Sequence, residues 1–199
     1  MNLDEVVLVG HSRGGEGVER ATIDTDAADP WKIQGMLLIG PTAFGRQVAA
    51  GVHTAVILPF CDGDVSDLQG QQYVDLGRDP TTDRALRTSI MAMGTNHNFY
   101  NTEWTPGLSE SPAWDDWFDP NDPQCGENRS RRLTPPEQEA VGLAYTAALV
   151  ELAIADNPSA VRLLDGSKVR PPSIGRASAV VHAIGGAKDM VYVPGTGVE

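Results

Sequence analysis

The sequence predicts an α/β fold, a mainly parallel sheet flanked by helices, on two observations. Short apolar runs alternate with helical segments through the first half of the chain, and three of the four runs are stopped by glycine, at Gly10, Gly40 and Gly94. Beyond Asn157 the pattern changes to short β-rich pieces separated by Gly and Pro. That change predicts a small β-rich C-terminal appendage, or the start of a second domain, over 157–199.

The elements follow in order. Val6 to Val9 is a continuous apolar run between charge and Gly10, the pattern of a strand buried on both faces. A helix follows from Gly14 to about Ala28, with Pro30 beyond it. Ile33 to Ile39 reads as the second strand, broken by Gly40-Pro41, and Thr54 to Leu58 as the third. A helix is predicted over Leu68 to Leu76, ended by Gly77 and Pro80, and a fourth strand over Thr88 to Met93, ended by Gly94.

Residues 101–133 are rich in Pro, Asp, Asn and Trp without a period, which predicts an ordered excursion or lid. Thr134-Pro135-Pro136-Glu137 satisfies a capping box. Val141, Ala144, Tyr145, Ala148, Leu149 and Leu152 then recur at helical spacing. Val161 to Leu164, Ala179 to Ala183 and Met190 to Val193 are the late β pieces.

With 199 residues, 41% of them hydrophobic, the chain is long enough for one sizeable core. The net charge of −12 repels phosphate backbones, and Arg129, Arg131 and Arg132 are the largest local exception, so a nucleic-acid partner is not expected. No apolar run is long enough to span a bilayer. Residues 1–5 lack the basic start and apolar stretch of a signal peptide, which predicts either a cytoplasmic protein or a beginning that lies elsewhere. Cys61 and Cys125 leave two readings open, one bridge or two separate thiols, and they offer no metal-ligand spacing.

Chemistry enters at Gly10-His11-Ser12-Arg13-Gly14, a G-x-S-x-G turn between a strand and a helix. Such a turn lifts the serine hydroxyl clear of the sheet, with small residues at Gly10 and Gly14 where side chains would collide with neighbours. A serine hydroxyl is a weak nucleophile and needs an imidazole base oriented by a carboxylate. Of four histidines, His11 lies in the turn, His53 precedes a strand and His182 lies in a late β piece, which leaves His97 in the loop after the fourth strand. The loop after the third strand offers two acids, Asp62 and Asp64, while Asp67 reads as a helix cap.

Val-Val-Leu-Val-Gly-His-Ser-Arg-Gly-Gly at 6–15, Cys-Asp-Gly-Asp at 61–64 and Gly-Thr-Asn-His-Asn-Phe at 94–99 resemble the α/β-hydrolase superfamily, and within it bacterial esterase, lipase and cutinase-like serine hydrolases. The resemblance covers about residues 3 to 155 and gives residues 1–156 as the C-terminal portion of such a domain. It implies the order serine, acid, histidine, with Ser12 as nucleophile, His97 as base and Asp64 as acid, Asp62 being the alternative. The backbone N–H of Arg13 would donate to the oxyanion.

It further implies that the first half of the sheet, with a second oxyanion donor, lies outside this partial fold. No cofactor or metal is called for. The implied activity is hydrolysis of a small-molecule, lipid or polymeric carboxylic ester, with Trp104, Trp114, Trp117 and Phe118 either lining an acyl pocket or packing the excursion. The alternatives are a catalytically incomplete binding module and an acyltransferase. A Cys61–Cys125 bridge would tie the excursion to the acid loop and point outside the cytoplasm.

Overall fold

The computed structural model describes residues 2–78, 83–113, 120–126 and 128–185. Five strands form one sheet in sequence order: β1 (Val6–His11), β2 (Ile33–Ile39), β3 (His53–Pro59), β4 (Leu86–Met93) and β5 (Ser178–Gly185). The first four run parallel, and β5 closes the far side antiparallel to β4. The α/β class and the predominantly parallel sheet are therefore observed.

Parallel strands bury both faces, and here each face has its own cover. Leu37, Ile39, Ala55 and Ile57 point to one side, into a core completed by Val141, Tyr145 and Leu149 of α3 (Pro135–Ala153) and Leu164 of α4 (Pro158–Leu164). Met36, Leu38, Val56 and Leu58 point to the other. There they meet Val18 and Ile23 of α1 (Arg13–Asp24) and Tyr73 and Val74 of the short α2 (Gln72–Asp75). The α3 helix begins as its sequence predicts: Thr134 donates from both its N–H and its hydroxyl to Glu137 Oε2, at 2.8 and 2.9 Å.

Four segments differ from the sequence expectation. β1 is not buried on both faces: among the described residues it pairs only with β2, and Val9 is 52% exposed, so it is an edge strand. Val161 to Leu164 is helical, because Asn157 caps α4 by accepting the Ser159 N–H at 3.0 Å and Pro158 occupies its first turn. Ala179 to Ala183 does form a strand, but as β5 of the main sheet. Residues expected in an appendage thus complete the first sheet, and Met190 to Val193 lies outside the described residues. The helix predicted over Leu68 to Leu76 is a 3₁₀ turn, Gln69–Gln71, running into α2.

The loop between β2 and β3 is tied to α1 by carboxylates. Glu16 accepts from the Thr42 hydroxyl at 2.6 Å and the Gly45 N–H at 2.8 Å. Deeper in, Glu19 accepts the Ala49 N–H, while Arg87 donates to the Ala49 carbonyl at 3.0 Å and pairs with Asp83 at 2.9 Å. The two peptide groups that flank the Ala49 Cα are thus held, one by an acid and the next by a guanidinium. Burial pushes Glu19 up to about 7, against the pull of the Ala49 amide and Arg87.

Glu19 retains a proton in the folded chain at pH values where the unfolded chain has released it. Its contribution is therefore complete below its ordinary value of 4.5 and lost as pH rises through about 7. Glu19→Gln keeps an acceptor for Ala49 and removes the titration. Urea unfolding of both proteins across this range should show wild type losing about 3 kcal/mol relative to the variant. Parallel stability–pH curves would contradict the assignment.

Candidate functional site

Because the first four strands are parallel, the loops leaving them gather along one edge of the sheet. Ser12 follows β1, Gly40 follows β2, Asp62 lies shortly beyond β3 and His97 shortly beyond β4.

Ser12 has φ 58° and ψ −128°, a conformation that costs a non-glycine residue roughly 1–3 kcal/mol. Three main-chain hydrogen bonds hold it there: its N–H donates to the Ile39 carbonyl at 2.9 Å, and its carbonyl accepts the Gly15 N–H at 2.9 Å and the Thr42 N–H at 3.4 Å. Gly10 is required, since a Cβ there would strike the Gly14 carbonyl. The expectation for Gly14 does not hold, as a Cβ at that position meets open space; the crowded position is Gly15, where a Cβ would stand 2.7 Å from Pro41 Cβ. Arg13 opens α1, so its N–H is among the amides a helix leaves without an internal acceptor.

His97 is fully buried and meets Asp62 through Nδ1, at 2.9 Å from Oδ2. The other oxygen of Asp62 accepts two amides of its own loop, Asp64 N–H at 3.0 Å and Val65 N–H at 2.6 Å. The carboxylate is thereby locked with one face toward the imidazole. Asp64 occupies a different place: its side chain is 68% exposed and its Oδ2 lies 3.9 Å from His97 Nε2. The geometry therefore favours Asp62 over Asp64 as the acid that orients His97, and the cause is the Asx-type turn that aims the first acid of the loop inward. Asp67 takes the Gln69 side chain at 3.1 Å and caps no helix amide among the described contacts.

The His97 loop reaches back across the strand ends. A Cβ on Gly40 would lie 2.9 Å from His97 Nδ1 and 3.1 Å from Asp62 Oδ2, so the missing side chain, with φ +46°, makes room for the pair. At β1 the loop meets His11, whose ring centroid is 4.9 Å from that of His97 and 5.0 Å from that of Trp104. Trp104 also stacks on His97, at 6.1 Å with 16° between planes. Behind the loop, the Asn96 N–H donates to Gln138 Oε1 of α3 at 3.0 Å, and the Gln138 amide donates to the Leu133 carbonyl at 3.1 Å.

Burial, and next the neighbouring His97, pull His11 from 6.5 down to about 4. The stability tied to its neutral form is present above 6.5 and lost as pH falls through about 4, the opposite sense to Glu19.

Cys61 and Cys125 are joined, resolving the choice between bridge and separate thiols. The bond fastens 120–126 of the excursion to the residue before Asp62, and the Cys61 N–H donates to the Thr95 carbonyl at 2.8 Å, linking the acid and histidine loops. Trp114, Trp117 and Phe118 lie outside the described residues.

Gly40, Gln138, His11 and Asn101 were not singled out as site residues from sequence. Gly40 carried the one usable signal, a glycine ending a strand beside the serine turn, but it also served as an ordinary strand breaker.

Cys61 and Cys125 are 64 residues apart, and closing a loop of that length removes chain entropy worth about 4 kcal/mol. Cys125→Ser should lower the unfolding free energy by an amount of that order in denaturant melts, and reductant should then have no further effect on the variant. A variant as stable as its parent would contradict a structural role for the bond.

Comparison with known proteins finds no family model, no curated protein and no solved structure that matches the chain.

Proposed function

We propose that the chain is a serine hydrolase of the α/β-hydrolase type that cleaves carboxylic esters through an acyl-enzyme on Ser12. The observation that carries this reading is the strained Ser12 turn, tied through its neighbour His11 to the main chain of a buried histidine whose Nδ1 meets a locked carboxylate. A serine in that backbone conformation costs stability, and such strain gathers where a side chain must be presented.

The chemistry follows from the parts. Asp62 on Nδ1 fixes the tautomer that leaves Nε2 basic and stabilises the imidazolium once formed. His97 takes the Ser12 proton as the oxygen attacks the ester carbonyl, and returns it to the departing alkoxide as the C–O bond breaks. Water, deprotonated by the same imidazole, then attacks the acyl carbonyl, and His97 returns that proton to Ser12 Oγ as the Oγ–C bond breaks and the acid leaves. The Arg13 N–H at the start of α1 donates to the oxyanion, where the helix dipole adds to it.

The substrate is an ester of a small molecule, a lipid or a polymer. The Cys61–Cys125 bond supports work in an oxidising compartment, and no helix among the described residues is long and apolar enough to cross a membrane.

A fluorophosphonate probe tests activation without a choice of substrate. Mass spectrometry should place the adduct on Ser12, with none on Ser12→Ala and labelling slowed at least about 100-fold in His97→Ala. A folded chain left unlabelled would sink the proposal. The two acids are separated by Asp62→Asn, expected to slow ester turnover by about four orders of magnitude, and Asp64→Asn, expected to stay within about a factor of three because an exposed carboxylate is screened. The reverse ranking would return the role to Asp64.

A further inference from the structure

We propose that His11 is a positioning residue, a neutral imidazole carrying its proton on Nε2 that fixes the main chain of His97 against the Ser12 turn; what the fixed His97 then does rests on the esterase reading above.

The hydrogen bonds at both ends of the ring assign the proton. His11 Nε2 lies 2.9 Å from the His97 carbonyl oxygen, which can only accept, so Nε2 is the protonated nitrogen. His11 Nδ1 lies 2.9 Å from the Asn101 side-chain nitrogen, and the Asn101 oxygen is already taken by the Trp104 N–H at 3.0 Å. Asn101 therefore presents its NH₂ group, a donor, and Nδ1 accepts. The two ends require the same tautomer independently. A second proton would sit on Nδ1, directly facing the Asn101 donor.

This arrangement couples three segments through one ring. His11 is covalently next to Ser12, it holds the backbone of His97, and through Asn101 it sets the start of the segment that lays Trp104 over both imidazoles. A shift of the serine turn relative to the histidine loop breaks the bond to the His97 carbonyl, so the distance between the two groups is fixed from behind.

Neutrality matters as well. The titratable groups facing His11 are His97, Asp62 and Tyr100, the last edge-on at 6.5 Å. A charged His11 would place a like charge 4.9 Å from the imidazole that has to take up the serine proton.

The test has two arms. In nitrogen NMR of the ¹⁵N-histidine-labelled full chain, His11 should show the neutral Nε2–H tautomer near neutral pH and retain it at about pH 5. The Nδ1–H tautomer, or protonation at the ordinary value of 6.5, would overturn the proposal without reference to catalysis.

In the second arm the rate of Ser12 labelling by a fluorophosphonate is compared in His11→Phe and His11→Gln. Phe keeps the ring and removes the donor; Gln carries an N–H the same number of bonds from the main chain. Phe should slow labelling about 10- to 100-fold, the scale of a small misplacement of reacting groups, and Gln should recover most of the loss. Parental labelling in the Phe variant, or no advantage of Gln over Phe, would also overturn it. If the parent itself is not labelled, the esterase reading fails while the nitrogen spectrum still decides the role of His11.

Discussion

The parallel alignment of β1 to β4 is the constraint on which everything else depends. Strands running the same way deliver their outgoing loops to one edge of the sheet, so residues far apart in sequence meet there. Ser12, Gly40, Asp62 and His97 each leave a different strand. Had β2 or β3 run the other way, its loop would lie at the opposite end of the sheet. The same alignment demands cover on both faces, which α1 and α2 supply on one side and α3 and α4 on the other. α1 therefore does two things: it covers the sheet, and its first turn, through the Gly15 N–H, holds the carbonyl of a Ser12 whose own N–H is bonded to Ile39.

Much of this was legible in the sequence because it depends on local pattern. The apolar runs marked β1 to β4, the capping box marked the start of α3, and the G-x-S-x-G turn marked Ser12. His97 emerged from its place after the fourth strand. What the pattern missed was decided at longer range or by side-chain geometry. Val161 to Leu164 is apolar enough for a strand, but the Asn157 cap with Pro158 starts a helix there. Ala179 to Ala183 reads as a strand, yet nothing local says that it pairs with β4. Asp62 and Asp64 differ by two positions, and the choice turns on which carboxylate the loop amides of Asp64 and Val65 hold inward. The Cys61–Cys125 connection and the Gln138 support of the histidine loop involve partners 64 and 42 positions away, beyond any local periodicity.

The polar groups beneath the site are expensive to bury, and the fold meets that cost with specific partners. Asp62 gives one oxygen to backbone amides and the other to His97. His11 is bonded at both ring nitrogens. Glu19 and Arg87 hold the N–H and the carbonyl of Ala49 and so fix the loop whose first residues pack against the Ser12 turn. Glu19 and His11 are both displaced toward their neutral forms by burial, and their displacements act on stability in opposite senses as pH changes. Between 4.5 and 6.5 the two effects offset, so a weak pH dependence in this window is the sum of two opposing titrations.

If the strained turn and the Asp62–His97 pair act on one reacting atom, a crystal structure of the chain after reaction with a phosphonate ester, a stable mimic of the tetrahedral intermediate, will capture them around it. The expected structure has phosphorus bonded to Ser12 Oγ, a phosphoryl oxygen accepting the Arg13 N–H, and His97 Nε2 facing the remaining ester oxygen with Asp62 still on Nδ1. An unmodified Ser12, or an adduct with the His97 ring turned away from it, would show that the two do not act together.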